Sequence, residues 1–506
     1  MLLFSRSTKN LIANYITKLW GLLSIYIFVP FYIKLLGIEA YGIISLYTLI
    51  FSIASIADMG LSSAITREFA KSNTKAYKRN ILSLFEKLFF LICVVTVALL
   101  FLGSTLIATK WLKVSSFTVA DVSKYVKLIG IGVGIQLMTS VYFGSLMGLQ
   151  KQVLSNMLQL SWSVLKTLGA VVLLNFIGPD LKVFFVWQIL CNVVYLVTLK
   201  LTVKSCIYDE FHEPKFGFEN IPKDILSYIS GMVFIAILSS LNNQADKVVT
   251  SKIFTLKQFG YYSLASTIAQ LPFIAASPIA VTIFPVLTAL VSEKKSIDLS
   301  KTYKQYSFLV SLFMLPIITI VFLYANDLIL LFSKKILPNE IDSIQFVAKT
   351  LTLGGAFLAL QLMPFYLLLA HGKTKYTIVQ NSIQLVFTVI AIYFCVNHYG
   401  FNGVAIPWLL VNLVSFIYLN IIISKEFFPF QAFKKTIFFS FIIPVCVNLG
   451  LGIIFNSLEH HFYFNSILLG LLSIIINILL YITFNEFQNT SVLKLGRNNF
   501  GLKVDN

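Results

Sequence analysis

The chain has 506 residues, of which 58% are hydrophobic and only 12% charged, and its net charge is +18. Soluble proteins carry about twice this charged fraction, and the apolar residues suffice for about fourteen membrane spans of roughly 20 residues each. The composition therefore excludes a soluble enzyme, a secreted disulfide scaffold and a disordered chain. It indicates a polytopic membrane protein.

Fourteen apolar runs follow one another along the chain, separated by charges and turn residues. The first six lie at 11–33, 41–65, 81–106, 128–149, 153–177 and 183–203. After a polar stretch come eight more, at 225–254, 259–290, 306–325, 346–370, 376–396, 403–423, 437–455 and 462–484. These runs are too long and too continuous for the strands of a membrane barrel. Each is therefore predicted to be a transmembrane helix.

The loops between the runs predict the orientation of the chain in the membrane. Roughly twice as many Lys and Arg residues lie on the side that holds both termini, so this side is predicted to be the cytoplasm. The first run is too long for the core of a signal peptide, and we expect it to remain as a span. No loop is long enough to form a soluble catalytic domain, so function is expected to reside in the helices.

An internal repeat divides the predicted helices into two sets. The sequence around Gly42 resembles that around Gly260, and nearly the same spacing separates Trp187 from Trp408 and Asn192 from Asn412. Parallel repeats of this kind are typical of transporters that carry substrate between two halves. We therefore predict a six-helix lobe at 1–203, a cytoplasmic linker at 204–223, a six-helix lobe at 224–424, and two additional helices with a cytoplasmic tail at 425–506.

The segment from Pro30 to Ala70 carries a family resemblance. It contains PFYIKLLG from Pro30, EAYG from Glu39, DMGL from Asp58 and REFA from Arg67. These motifs resemble the polysaccharide-transporter branch of the multidrug/oligosaccharidyl-lipid/polysaccharide (MOP) exporter superfamily, which includes the Wzx-type O-antigen flippases. Asp246-Lys247, followed by FGYYS at 259–263, is similar to the second half of that family. The resemblance implies an all-α fold with two MATE-like lobes.

The resemblance also implies a function. Members of this family turn undecaprenyl-diphosphate-linked oligosaccharides from the cytoplasmic to the periplasmic leaflet of the bacterial inner membrane by alternating access, in lipopolysaccharide biosynthesis. A polysaccharide polymerase and a chain-length regulator are the expected protein partners. No cofactor is expected, although coupling to an H⁺ or Na⁺ gradient is compatible with the class.

Lys166 is the strongest candidate for a residue that contacts the substrate. It lies near the middle of the fifth run, about 16–20 Å from either end, so its side chain is too short to reach the membrane surface. Charges at this depth are costly and mark transport pathways by default. We expect Lys166 to bind the diphosphate of a lipid carrier. A buried ion pair with a carboxylate of another helix is the alternative.

Other charged and polar residues of the runs extend the candidate pathway. Lys18, Asp58, Asp246 and Lys247 are predicted to line it, with snorkelling to the surface as the alternative for Lys18. A gate or a membrane-boundary role is open for four residues: Arg67, Asn242, Asn243 and Gln244. Single amides within the runs either bond sugar hydroxyls or join neighbouring helices: Gln136, Gln159, Asn192, Gln361, Gln380, Gln384 and Asn412.

Neither metal sites nor catalytic residues are predicted. The five cysteines form no CxxC pair, and the His460-His461 pair has no further ligand nearby in the sequence. Glu86 and Lys87 are interpreted as an interfacial pair. Three other functions stay open: an ion-coupled multidrug exporter of the same superfamily, a peptidoglycan-precursor (lipid II) flippase, and a membrane polymerase. The polymerase is disfavoured because the sequence has no large outer loop.

Overall fold

The computed structural model describes residues 6–70, 74–207, 240–333, 336–427, 438–459 and 461–499. These residues form helices joined by short loops, with one isolated bridge between Lys113 and Thr255. The first seven helices are α1 (Arg6–Leu36), α2 (Ile38–Ala54), α3 (Ile56–Ala70), α4 (Lys75–Leu106), α5 (Val119–Gly148), α6 (Gln152–Phe176) and α7 (Leu181–Ile207). A π-helical turn, Ile107–Trp111, follows α4.

Nine further helices make up the rest of the described chain. They are α8 (described at 240–253), α9 (Leu256–Ala269), α10 (Leu271–Ser292), α11 (Ser296–Phe332), α12 (Pro338–Ala370), α13 (Thr374–Tyr399), α14 (Ile406–Glu426), α15 (Ile443–Asn456) and α16 (Phe462–Asn499). The 3₁₀ turn Gly400–Val404 precedes α14, and the π-helical turn Phe438–Ile442 precedes α15.

The predicted all-α membrane architecture is confirmed. Eleven of the described helices are long and apolar enough to cross a membrane, and two apolar helices, Ile38–Ala54 and Ser440–Asn456, are shorter. The count of fourteen spans stays a prediction, because much of the predicted seventh span, together with most of the linker at 204–223, lies outside the described residues. Helix α7 continues to Ile207, so the first four residues of the predicted linker are helical.

The second predicted helix of each lobe is broken into two. The break at Ser55 separates α2 from α3, and the Ser55 hydroxyl donates to the Ser52 carbonyl oxygen at 2.8 Å, which competes with regular helical bonding. The break at Gln270 separates α9 from α10, and Pro272 lies in the first turn of α10, where a proline is tolerated. The prediction of one continuous helix at 41–65 and another at 259–290 was therefore wrong, because each of these runs contains a break.

One turn has the same geometry in both repeats. Gln150 follows α5 and Gly372 follows α12, and both have positive φ angles, of 59° and 72°. In each turn the next residue, a lysine, donates its backbone N–H to the carbonyl five positions earlier: Lys151 to Leu146 and Lys373 to Leu368. Such bonds satisfy carbonyl groups at helix ends. The same geometry also follows α10, at Lys294 and Lys295, so it is a recurring helix end in this chain rather than a mark of the repeat.

The chain divides into two compact units. Unit 1 comprises Met1–Leu264, Leu330–Leu337 and Asn381–Phe394, and unit 2 comprises Ala265–Ile329, Pro338–Gln380 and Cys395–Asn506. Within unit 1, buried residues of α3, α4, α5 and α7 form one apolar core, including Phe69, Phe85 and Tyr142. Within unit 2, α10, α11 and α12 share a core that includes Ile283 and Met314. The division into two six-helix lobes stays a prediction.

Two repeated glycines contact each other's helices within unit 1. A Cβ atom placed on Gly42 would lie 2.5 Å from the Leu256 carbonyl oxygen, and one placed on Gly260 would overlap the Ile38 carbonyl oxygen. Each glycine therefore meets the backbone four residues before the other glycine. Only glycine allows two helix backbones to approach so closely. The contact is reciprocal, as expected for two copies of one motif.

Candidate functional site

Lys166 lies on the inward face of α6. Helical periodicity places the exposed apolar residues Met157, Leu168 and Val172 on the other side of this helix. Ala170, one turn after Lys166, is fully buried, whereas Lys166 itself is half-buried. The lysine therefore turns away from the face of α6 that is suited to lipid, and its role in a transport pathway stays a prediction.

Three uncharged groups surround the ammonium of Lys166. Its Nζ atom lies 4.8 Å from the ring centroid of Trp162 and 5.3 Å from that of Tyr47. It also donates a hydrogen bond to Gln136 Oε1 at 3.4 Å. The faces of aromatic rings carry partial negative charge and attract cations. The positive charge is thus stabilised by these uncharged groups, and no carboxylate among the described residues neutralises it.

A hydrogen-bonded scaffold fixes these groups in place. The Tyr47 hydroxyl donates to Gln136 Oε1 at 2.5 Å, and Asn192 Nδ2 donates to the Gly132 carbonyl oxygen at 3.0 Å and to the Tyr47 hydroxyl at 3.4 Å. The five residues Tyr47, Gln136, Trp162, Lys166 and Asn192 are hereafter called the Lys166 cluster. They come from α2, α5, α6 and α7, so four helices of unit 1 hold one positive charge.

The Trp162 ring is held by a second aromatic residue. It stacks on Tyr195 of α7, with ring centroids 4.8 Å apart and an interplanar angle of 15°. Aromatic stacking adds to the packing of buried rings. One of the two rings beside the ammonium is therefore itself packed against a neighbouring helix.

The charge of the cluster favours an anionic ligand. Among the described residues, no carboxylate forms an ion pair with Lys166, so the alternative of a buried ion pair finds no support. An ammonium has three N–H donors, and the bond to Gln136 uses one. The remaining donors match the several acceptor oxygens of a phosphate group.

A polar ladder joins α1 to α6 beside the cluster. Asn14 bonds to Gln152 and Asn156, and the Trp20 indole N–H donates to Ser163 Oγ at 3.2 Å. Lys18, one turn after Asn14, is exposed and takes no part in the ladder. The structure therefore does not bring Lys18 into the Lys166 cluster, and a pathway role for Lys18 stays a prediction.

Asp58 lies in the first turn of α3, directly after the break in the second predicted helix. Its side chain is half-buried and hydrogen-bonds to Ser140 of α5, while no described residue bonds to its Oδ1 atom. A carboxylate at a helix N-terminus is favoured by the helix dipole. Arg67 lies at the other end of α3 and is exposed, which fits a membrane-boundary role.

Asp246 is the most buried of the charged candidates for the pathway, with 6% of its surface exposed. It lies on α8 and accepts a short hydrogen bond from the hydroxyl of Tyr262 on α9. Its second oxygen, Oδ1, is buried and has no hydrogen-bond partner among the residues that the structure describes. Lys247, the next residue, is half-buried and forms no ion pair among the described residues.

The three polar residues before Asp246 have different surroundings. Asn242 Nδ2 donates to Gln384 Oε1 of α13 at 3.0 Å, so Asn242 joins two helices of unit 1. Asn243 is exposed and Gln244 is half-buried. A gate role for these residues stays a prediction, while the Asn242 contact is of the kind that joins helices in membranes.

Unit 2 contains a cluster of amides that carries no charge. Gln361 Nε2 donates to the backbone oxygen of Asn412 at 3.0 Å and to its Oδ1 at 3.2 Å, and Gln380 Nε2 donates to Gln361 Oε1 at 3.1 Å. All three side chains are buried. They are called the amide cluster below. Three of the four amides predicted in this half thus bond to one another and join α12, α13 and α14, whereas the fourth, Gln384, bonds to Asn242 in unit 1.

The structure also corrects one pairing and reveals residues that the sequence did not indicate. Glu86 does not pair with Lys87, which is exposed, because Glu86 Oε1 accepts a 2.6 Å hydrogen bond from Tyr142 and lies 3.8 Å from Lys200 Nζ. Tyr47 and Trp162 were absent from the sequence predictions. Their aromatic character is common in membrane helices, and only their position beside Lys166 distinguishes them.

Glu39 forms a separate contact beyond the end of the first span. It accepts backbone hydrogen bonds from Ser115 at 2.9 Å and from Ser116 at 2.9 and 3.1 Å. Burial opposes ionisation of this carboxyl, but the hydrogen bonds from Ser116 and Ser115 outweigh it and hold the pKa of Glu39 below its usual value. Glu39 thus ties the start of α2 to the loop before α5.

In the described part of the chain, no group of three or more His, Cys, Asp or Glu residues could hold a metal ion.

Comparison with solved structures identifies the class of the fold. The chain superposes on the lipid II flippase MurJ in an inward closed conformation with a TM-score of 0.71, covering 94% of this chain and 99% of MurJ at 17% identity. It superposes on a multidrug resistance MATE family transporter in an inward-facing conformation with a TM-score of 0.64, covering 82% and 96% of the two chains at 17% identity. The fold is that of MOP-superfamily membrane transporters.

Sequence comparison gives the family. The profile of the family described as polysaccharide biosynthesis protein matches residues 33–335, and the chain belongs to this family. It is also 25% identical over 376 residues to a proposed O-antigen transporter of Shigella flexneri, covering 74% of this chain and 87% of the relative. The chain is therefore a member of the polysaccharide biosynthesis protein family with the fold of membrane transporters.

Proposed function

We propose that this protein moves a lipid-linked oligosaccharide, carried on undecaprenyl diphosphate, from the cytoplasmic to the periplasmic leaflet of the bacterial inner membrane. The family and the O-antigen relative support an oligosaccharide cargo. A cargo of this kind has an anionic diphosphate between a polar sugar and an apolar tail. Its carrier needs a cation inside the bundle, and alternating access would expose that cation to each side of the membrane in turn.

The observation that carries the proposal is the free positive charge of the Lys166 cluster. Lys166 lies near mid-membrane and is stabilised by two ring faces and one amide oxygen, with no carboxylate paired to it among the described residues. Placing such a charge in a membrane is costly unless it serves a ligand or a pathway. A diphosphate would replace the missing counter-charge while the cargo is bound.

The remaining predicted residues complete the proposed route. Lys18 and Lys247 would contact the anion before or after Lys166, and Asp58 and Asp246 would act as counter-charges when the carrier is empty. With both termini in the cytoplasm, as we propose from the loop charges, cargo would leave toward the periplasm. A polysaccharide polymerase and a chain-length regulator would act on the cargo there.

The test is surface polysaccharide display in a strain that lacks its own flippase. The strain is complemented with wild type, Lys166→Gln, Lys166→Arg or the control Lys87→Gln, all at equal membrane abundance. We expect Lys166→Gln to lose display, Lys166→Arg to retain part of it because the charge is kept, and the control to match wild type, since Lys87 is exposed. Full display with a folded Lys166→Gln variant would overturn the role of Lys166.

A lipid II flippase is the second candidate, and the extent of the structural similarity to MurJ favours it. Lipid II shares the diphosphate carrier and differs in its sugar and peptide. The two candidates are separated by expressing the protein in a strain depleted of its lipid II flippase. Rescue of growth would support the lipid II cargo, while restored display without rescue of growth would support an oligosaccharide cargo. A multidrug exporter would instead confer drug resistance in either strain.

A further inference from the structure

Two exposed lysines lie at the same end of the helix pair α6 and α7. Lys151 directly precedes α6, and Lys204 lies in the last turn of α7. The Lys151 ammonium donates to Cys206 Sγ at 3.0 Å, which joins this end of α6 to this end of α7. Neither lysine forms an ion pair among the described residues, whereas Lys200, one turn before Lys204, lies 3.8 Å from Glu86. The end of the pair therefore carries two positive charges that no described carboxylate balances.

The second repeat provides an internal comparison for this charge. Cys206 and Glu426 are related by the same spacing as the repeated asparagines, and Lys373 follows α12 as Lys151 follows α5. In unit 2, Lys373 forms an ion pair with Glu426. In unit 1 a thiol takes the place of that carboxylate, and a thiol sulfur is only a weak acceptor. The lysine is thus neutralised in one repeat and open to an anion in the other.

Both lysines lie at the end of exposed apolar surface. The exposed apolar residues of α7 recur every three or four positions up to Lys204, which places them on one side of the helix: Leu190, Val194, Val197 and Leu201. On α6, Leu154 follows Lys151 by three positions, and exposed apolar residues continue along the helix at Leu165, Leu168 and Val172. Apolar faces of this kind suit lipid, so the two ammonium groups lie where acyl chains give way to headgroups.

From this arrangement we propose that Lys151 and Lys204 bind the phosphate group of one anionic phospholipid, whose acyl chains lie along the exposed faces of α6 and α7. Each ammonium has three N–H donors, and the phosphate offers several acceptor oxygens. A phospholipid fits better than a soluble anion or an acidic protein, because the charges continue directly into apolar surface. The loop charges predict that this end faces the cytoplasm, where the anionic lipids of the inner leaflet attract basic residues.

The bound lipid would hold together two of the four helices that form the Lys166 cluster. Trp162 and Lys166 lie on α6, and Asn192 lies on α7, where Tyr195 stacks on Trp162. The lipid site is separate from the cluster, because its lysines are exposed at a helix end while Lys166 lies near the middle of α6. The proposal therefore adds a dependence on surrounding lipid to the transport proposed above.

Native mass spectrometry of the purified full-length protein tests this site. The protein is titrated with phosphatidylglycerol and, separately, with phosphatidylcholine of the same acyl chains. We expect wild type to prefer phosphatidylglycerol, and Lys151→Gln and Lys204→Gln each to weaken its binding roughly fivefold. The matched control, Lys182→Gln, removes an exposed lysine from the other end of α7 and should bind as wild type does. Equal binding of the two lipids by wild type, or an equal loss in the control, would overturn the proposal.

Two further measurements identify the source of the phosphate and the cause of a loss. Glycerol 3-phosphate carries the charge without acyl chains and should not displace phosphatidylglycerol at equal concentration, whereas displacement would overturn the assignment to a lipid. Lys204→Arg keeps the charge and should retain binding, so a loss as large as in Lys204→Gln would contradict a phosphate contact. None of these measurements uses the oligosaccharide cargo. Their failure would leave the flippase proposal standing, and failure of the display test would leave the lipid site standing.

Discussion

The Lys166 cluster of unit 1 and the amide cluster of unit 2 are built on repeated positions but differ in charge. Asn192 and Asn412 occupy corresponding places in the repeat, and each bonds to a neighbouring helix of its own unit. Around Asn192 the structure places a lysine between two aromatic rings, whereas around Asn412 it places two glutamines. The repeated asparagines therefore support both clusters in a similar way. The lysine, which occurs in only one of the two clusters, makes the Lys166 cluster the candidate for ligand binding.

Reversing the charge of the Lys166 cluster should have the largest effect. Lys166→Glu is expected to lower polysaccharide display at least about tenfold, because a negative charge would repel the diphosphate where the lysine attracts it. Display is measured by surface labelling at equal membrane abundance. The matched control is Lys87→Glu on the exposed face of α4, which should leave display unchanged. Equal losses in both variants would point to a general charge effect and against a specific site.

The reciprocal glycines test the part of the molecule that is symmetric. Gly42→Ala and Gly260→Ala should each lower the free energy of unfolding by about 1–3 kcal/mol, because the added Cβ atom meets backbone oxygen. The control Gly450→Ala meets no atom within 4 Å and should not destabilise a helix. Thermal unfolding in detergent provides the measurement. A large difference in stability between the two glycine variants would show that the two glycines do not contribute equally to this contact.

The two asparagines separate scaffold from function. Asn192→Ala and Asn412→Ala should each cost about 1–2 kcal/mol of stability, since each loses a buried interhelical hydrogen bond. Only Asn192→Ala should also lower display, because Asn192 supports Tyr47 beside Lys166. Measuring stability and display on the same preparations distinguishes the two effects. If both variants lost display in proportion to their loss of stability, the two clusters would not differ in function.

The smallest expected effect concerns Glu39, which lies outside both clusters. Its folded pKa is below its usual value, so the ionised form stabilises the fold at neutral pH, and this contribution disappears as the pH falls through the folded pKa. Glu39→Gln should therefore lower the melting temperature at neutral pH and differ little from wild type in acid. If the melting temperatures of Glu39→Gln and wild type differed by the same amount at every pH, the effect would come from packing of this side chain rather than from its charge.

The sequence predicts the helices because they depend on local apolar periodicity, and it singles out Lys166 because a charge lies deep in one of the apolar runs. It also finds the repeat at Gly42 and Gly260, where one motif occurs twice. It does not predict the break at Ser55, because hydroxyl groups make the same bond to a carbonyl three residues earlier inside unbroken helices, as Ser104 does in α4. The tertiary partners of charged residues are equally hidden. Glu86, for example, forms an ion pair with Lys200 on another helix rather than with its sequence neighbour Lys87.

Tyr47 and Trp162 illustrate the same limit for the site. Aromatic residues are frequent throughout this chain, and nothing in the sequence marks these two. Their role follows from the packing of α2 and α6 around one ammonium, which places both ring faces toward it. Charge and depth could be read from the sequence, while the groups that stabilise the charge required the fold.

The reciprocal contact of Gly42 and Gly260 has a consequence for how this family can vary. Each glycine meets main-chain atoms of the opposite helix, and every residue type has the same main chain. A larger residue at one position therefore could not be compensated by a smaller side chain opposite it. We expect both positions to remain glycine independently of each other in relatives that keep this contact, so they should be invariant without covarying. An interface in which residue i meets j and j meets i is also the arrangement of a two-fold symmetric homodimer, here contained within a single chain.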